Sequence, residues 1–196
     1  MNFFKKVFNF SPENPEEKIA KKQKVNLSLD DSFVHHFIEK GGKFLYCTKK
    51  KEINEHIQKI IEENNWKEIA CIDKNLAKLI KNKEISITKK LNNKIPLLTF
   101  CEHLIADNGD ILFSSNQLNS TKISDLSDNF IVYATTSQLV KNTGQGLTGI
   151  KTNFKENIPT NISSIKNYTI NKNEENFLNY GNSNSKNLYL LLFENL

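Results

Sequence analysis

Between Cys101 and Gln117 the chain gathers residue types that chemistry needs. Glu102 brings a carboxylate able to move a proton or to orient a ligand. His103 stands beside it, but adjacent side chains point in different directions, so the two do not form a concerted pair. Asp107-Asn108-Gly109 is a strong turn signal, because Asn and Gly both tolerate positive φ. A turn of this kind can aim backbone N–H groups at an anion. Beyond it Ile111 to Phe113 is too short to be anything but a strand, and Ser114, Ser115, Asn116 and Gln117 put polar groups at its far end. Lys122 is the best remaining cation for an anionic ligand. The expected site is therefore one concave polar pocket. Glu102 is its candidate catalytic or ligand-orienting acid, and Asn108, Gly109, Ser114, Ser115, Gln117 and Lys122 are its candidate ligand contacts. The plainer alternative is a solvated acid followed by a surface turn that feeds a core strand.

Other chemistries are excluded by spacing. No acid or His is placed by sequence to activate Ser114 or Ser115 as a nucleophile. His35 and His36 are consecutive on a helix and cannot share a metal on one face, and His56 lies among charged residues. Cys47, Cys71 and Cys101 are odd in number, far apart and without a CxxC, so the chain alone is expected to hold neither an iron–sulfur cluster nor any other metal. Gly144-x-Gly146-x-x-Gly149 has glycine-rich spacing, but it reads as the end of a helix. A dinucleotide-binding glycine turn must instead follow a strand.

The chain has 196 residues and 38% hydrophobic content, enough to bury one core without staples. Its net charge of +5 comes from Lys alone, with no Arg anywhere. Lys offers a mobile point charge where Arg would clamp a carboxylate bidentately. The Lys clusters are interleaved with acids and not with aromatics, which argues against nucleic acid. No apolar run approaches the length of a membrane span, and reduced thiols suit a cytoplasmic protein. Residues 1–29 read as a Phe-rich tail and a polar, loosely packed helix that starts at Asn14-Pro15. A single domain is expected over 30–196.

Within that domain the hydrophobic pattern gives strands and helices in alternation. Asp30 or Asp31 caps a helix with Phe33, Val34, Phe37 and Ile38 on one face, ended by Gly41. Phe44 to Cys47 is a strand, and Glu52 to Asn65 is a helix with Ile53, Ile57, Ile60 and Ile61 inward. Ile69 to Ile72 is the next strand, followed by a helix through Leu76, Leu79 and Ile80. Ile85 to Ile87 and Leu97 to Phe100 add strands. Asn119 to Asn129 reads as a polar loop, Phe130 to Ala134 as a central strand, and Thr135 to Ser137 as the cap of a helix running through Leu139 toward Phe154. Leu188 to Phe193 closes the sheet. Short connections between such elements predict right-handed βαβ units: an α/β fold with an open, mostly parallel sheet flanked by helices. The five strands at Phe44, Ile69, Ile111, Phe130 and Leu188 are expected to share it.

Six segments follow one another in register with a known family. They are Gly41 to Cys47, Ile61 to Lys67, Cys101-Glu102 with Ala106-x-x-Gly109, Ser114-Ser115-x-Gln117, Thr136 to Val140, and Lys186-x-Leu188-Tyr189. Together they resemble the LUD domain family of lactate-utilisation proteins, of the lactate utilisation protein C type. The resemblance covers Phe33 to the C-terminus. It implies a fold similar to the ribose-phosphate isomerase and CoA-transferase class. It also implies a role as accessory component or subunit in oxidising L-lactate to pyruvate, with iron–sulfur clusters on partner proteins. A small carboxylate or other anion would be the ligand. Departures mark a divergent member. The loop after Ser114-Ser115 lacks Arg, and Asn167 to Glu175 keeps only Glu175 of a Gly-Pro-Ser and Thr-Ala-Asp-Ile-Glu pattern, with Gly181 beyond it. Lost glycines remove close backbone approach to a ligand. The alternative is therefore a degenerate, non-catalytic small-anion binding or scaffold domain, and whether the chain is an enzyme stays open.

Overall fold

The computed structural model describes residues 27–170 and 184–195. The expected N-terminal tail and helix, Glu175 and Gly181 lie outside the described residues, apart from the tail's last few positions. Six strands form one fully parallel sheet in the order β1-β10-β7-β4-β2-β3. They are β1 (Lys43–Cys47), β2 (Glu68–Ala70), β3 (Ser86–Thr88), β4 (Leu97–Phe100), β7 (Asn129–Thr135) and β10 (Asn187–Phe193). The two central strands, β7 and β10, are the longest and pair over seven residues, Asn187 with Asn129 through Phe193 with Thr135. Near-continuous apolar runs suit strands covered on both faces.

Alternation along those strands feeds two apolar layers. Phe130, Val132, Leu188, Leu190 and Leu192 point to one side, and Ile131, Leu191 and Leu98 to the other. The second side is covered by α2 (Lys50–Glu63), whose Ile53, Ile57, Ile60 and Ile61 repeat at helical spacing and are all buried. The helix expected at Leu76 to Ile80 shrinks to one turn, α3 (Lys74–Ala77), capped by Asp73. The first side is covered by α1 (Leu29–Glu39) and by a second, smaller sheet. Ser28, and neither Asp30 nor Asp31, caps α1: its hydroxyl accepts from the Asp31 N–H at 3.3 Å. Gly41 ends the helix at φ +87°, with the Gly42 N–H donating to the Phe37 carbonyl.

The second sheet corrects the expectation that Ile111 to Phe113 joins the main one. It runs β8-β5-β6-β9, from β5 (His103–Ile105), β6 (Asp110–Phe113), β8 (Leu139–Val140) and β9 (Ser163–Ile165). β5 and β6 form an antiparallel hairpin through the Asp107-Asn108-Gly109 turn. The polar loop at 119–129 is anchored by buried Ile123 and Leu126 around a short 3₁₀ turn. Beyond β7 the expected helix is absent: Thr136–Gln138 is a 3₁₀ turn and Leu139-Val140 pairs as a strand with Leu104-Ile105. A new helix, α5 (Thr143–Asn153), starts at its cap Asn142, so Gly144, Gly146 and Gly149 open a helix and do not end one. Gly146 permits close packing, because a Cβ there would stand 2.9 Å from Leu112 Cδ1. Among the described residues no helix is long and apolar enough to cross a membrane.

Candidate functional site

Chain order around the sheet reverses between β2 and β4. From β2 the chain moves outward to β3, whereas from β4 it proceeds through β7 to β10 in the opposite direction. The two outgoing connections diverge there, leaving a crevice at the carboxyl ends of β2 and β4, where open α/β sheets place their ligands. A cleft of about 590 Å³ occupies this point. Its apolar wall is Ile72, Phe100 and Phe154; its polar lining is Asp73, Lys74, Asn75, Thr99, Asn116 and Gln117. Thr99 is 6% exposed and forms the floor. Lys74 is the only cation among the lining residues.

Behind Asn116 and Gln117 stands Glu102, just past the end of β4. Its Oε1 accepts from the Ser114 hydroxyl at 2.5 Å, from Gln117 Nε2 at 2.9 Å and from Asn116 Nδ2 at 3.3 Å. Charge-assisted bonds of this kind are short and strong. Ser114 is fully buried and caps α4 (Ser115–Leu118), while Gln117 Oε1 accepts in return from the Ser114 N–H at 2.8 Å. The pair is a reciprocal capping box. A second one follows β7: Gln138 Oε1 accepts from the Thr135 N–H at 2.8 Å. Gln138 Nε2 donates to the Cys101 carbonyl at 2.6 Å and the Glu102 carbonyl at 3.3 Å. The Cys101-Glu102 link is thus gripped from both sides, by Gln117 on its carboxylate and Gln138 on its backbone. Ser115 fastens the segment beyond α5, donating N–H to the Thr160 carbonyl and accepting the Thr160 N–H on its hydroxyl at 3.0 Å.

The expected residues therefore divide. Glu102, Ser114 and Gln117 come together in one hydrogen-bonded network with Ser115 next to it in the chain, and of the four only Gln117 lines the cleft. Asn108 and Gly109 do not join that network, because β6 separates the turn from Ser114 by about 13 Å of strand. The turn is instead a structural junction. Asn108 Oδ1 accepts the Asp110 N–H at 3.1 Å, and buried Asp110 pairs with Lys40 at 2.9 Å. Gly109 has φ +71°, and a Cβ there would lie 2.6 Å from the Phe37 backbone nitrogen. Lys122 is exposed in the connection leading back to the start of β7, and it does not line the cleft. A single pocket spanning turn, strand end and Lys122 is not formed, since a hairpin carries its turn and its strand exit at opposite ends.

The site also includes residues outside the expected contact set. Lys74, Thr99 and Phe154 carry no local motif and are assembled only by the fold. Thr135 and Gln138 had a signal: Ser114-x-x-Gln117 and Thr135-x-x-Gln138 repeat one capping-box pattern. All three cysteines are buried and free. Burial pushes the thiols of Cys47 and Cys71 up to about 11 and that of Cys101 higher still, so they are poor nucleophiles and ligands. Among the described residues no group of three or more His, Cys, Asp or Glu could hold a metal ion.

The sequence of residues 67–193 matches the family described as LUD domain. The fold is similar to the crystal structure of a DUF162 family protein from Deinococcus radiodurans, at TM-score 0.60 and 15% sequence identity. That likeness covers 86% of this chain and 99% of the other. No curated protein matches the sequence.

Proposed function

The chain belongs to the LUD domain family, and from that membership we propose that it is an accessory, substrate-binding subunit of a cytoplasmic system oxidising L-lactate to pyruvate. Electrons would pass to iron–sulfur clusters on partner proteins. One observation carries the binding role: the cleft lies at the reversal point between β2 and β4, with Lys74 available to a carboxylate. Asn116 and Gln117 each use one amide N–H on Glu102 and keep a second for a ligand oxygen. Glu102 acts in this reading by holding those amides in place, with Ser114 as its buried partner. Ser115 ties the segment beyond α5 to the start of α4 through Thr160.

The non-catalytic alternative draws on the same geometry, since a lone Lys binds a small anion weakly. Lactate alone is expected to bind at around the millimolar range, about −4 kcal/mol. The test is L-lactate-dependent reduction of an artificial electron acceptor by the iron–sulfur partners, with and without this chain. Activity that requires the chain, and that falls at least tenfold in Lys74→Ala, supports the proposal. A rate indifferent to the chain's presence would refute it and leave the binding-domain alternative.

A further inference from the structure

The cleft is larger and more apolar than a three-carbon hydroxy acid can use. At about 590 Å³ it falls in the size range of sites that enclose drug-sized ligands. Lactate offers one methyl group, yet three sizeable apolar side chains, Ile72, Phe100 and Phe154, line the space. None of the three is fully buried. Their wet faces sit in a concavity, where apolar surface commonly marks a ligand and not a packing defect.

These walls are held independently of one another. Phe100 ends β4 and meets Tyr133 edge-on, with ring centroids 5.5 Å apart. Phe154 is the C-cap of α5, its N–H donating to the Ile150 carbonyl at 3.1 Å, and its own carbonyl accepts the Asn157 N–H. Ile72 follows β2 and precedes the Asp73 cap of α3. The polar lining includes Lys74, beside that cap, and Asn116 and Gln117, anchored on Glu102. The cleft thus offers a cation and two side-chain amides together with two aromatic rings and an aliphatic side chain. An aromatic group entering it gains both buried area and ring–ring contact.

We infer that the cleft binds a 2-hydroxy or 2-oxo acid with a bulky, aromatic side chain, its carboxylate toward Lys74 and Asn116 and its ring against Phe100 and Phe154. This rests on the proposed role of the cleft as a carboxylic-acid site and names the substrate class for it. The carboxylate and the hydroxyl or keto oxygen take the second N–H groups of Asn116 and Gln117. The side chain displaces water from the apolar walls.

Calorimetric titration of the whole chain with L-lactate and with L-3-phenyllactate tests the inference. Phenyllactate should bind at least tenfold more tightly than lactate. Phe154→Ala should remove most of that difference, and Phe154→Tyr should keep it. A melting curve on each variant confirms folding, and Phe100→Leu provides a second probe of the same wall. Equal affinities, or a phenyllactate preference untouched by both Phe154→Ala and Phe100→Leu, would overturn the inference while leaving lactate binding intact. Binding of neither acid would overturn it as well. The proposed function is judged separately, by whether the partners' lactate oxidation requires the chain.

Discussion

Glu102 shows how a polar residue can be placed by sequence while its work is decided by its neighbours. Its carboxylate takes three side-chain donors on one oxygen, including a buried hydroxyl. Removing the charge by Glu102→Gln weakens those bonds, and an uncharged amide oxygen beside Ser114 loses the charge-assisted part of each, roughly 1 to 3 kcal/mol in all. We expect a lower melting temperature and loss of order at Asn116 and Gln117, visible as NMR line broadening. Unchanged stability would mean that the network is slack. Gly109, an expected ligand contact, supplies room instead. Its positive φ and the 2.6 Å approach to the Phe37 backbone leave no space for a side chain. Gly109→Val should cost several kcal/mol through strain and displacement of α1, measured by denaturant titration. Lys186 belongs to the Lys186-x-Leu188-Tyr189 segment. It is 2% exposed, donating to the Leu126 carbonyl at 3.0 Å with Asp128 at 3.5 Å. Lys186→Ala should cost about 2 to 4 kcal/mol, because it removes a buried stem and the partner of that carbonyl.

Among the elements, those with long apolar runs or clean periodicity were legible. Leu188 to Phe193 and Phe130 to Ala134 form strands and the Ile53-Ile57-Ile60-Ile61 stripe forms a buried helix face, since burial on both faces of a strand or one face of a helix writes itself into composition. Of the second sheet only the Asp107-Asn108-Gly109 turn and the Ile111 to Phe113 strand were legible, and their place in a separate sheet was not. Its strands are two to four residues long, and Leu139-Val140 or Ser163–Ile165 has no period to detect. Their partners come from tertiary contact, which no local pattern encodes. Half of the site was readable for the same reason: Ser114 and Gln117 carry a capping pattern, whereas Lys74 and Phe154 reach the cleft only through the fold. Helix α5 gives the sharpest test at this scale. Gly144 would place a Cβ no nearer than 3.3 Å to Asn142 Oδ1, while Gly146 faces Leu112 at 2.9 Å. Gly144→Ala should therefore be neutral or stabilising by up to about 1 kcal/mol, from helix propensity. Gly146→Val should destabilise by more than that, by levering the helix off β5 and β6. Equal responses of the two variants in thermal melts would show that α5 is not closely seated.

At the scale of the molecule, the parallel sheet carries an apolar layer on each face, and the ionisable groups enclosed there link folding to pH. Burial raises the thiols of Cys47 and Cys71 from 9.0 to about 11, that of Cys101 further, and the Tyr168 hydroxyl well above its ordinary 10.0. An acid whose folded pKa is raised keeps its proton in the fold after the unfolded chain has released it. Its contribution to stability is complete below the unfolded pKa and disappears as pH climbs through the folded value. Lys186 has the opposite sign, because burial lowers its pKa and the unfolded chain binds that proton more readily. Its contribution improves with rising pH, but it stands against three thiols and a phenol. Stability should consequently decline across the interval from about pH 9 to about pH 11. Circular dichroism melts at several pH values under reducing conditions measure this directly. Cys71→Ala should flatten part of the decline, since it removes one raised thiol, at the cost of a small cavity that is independent of pH. A melting temperature that holds level or rises through the interval would show that these groups are less enclosed than their positions in the two layers require.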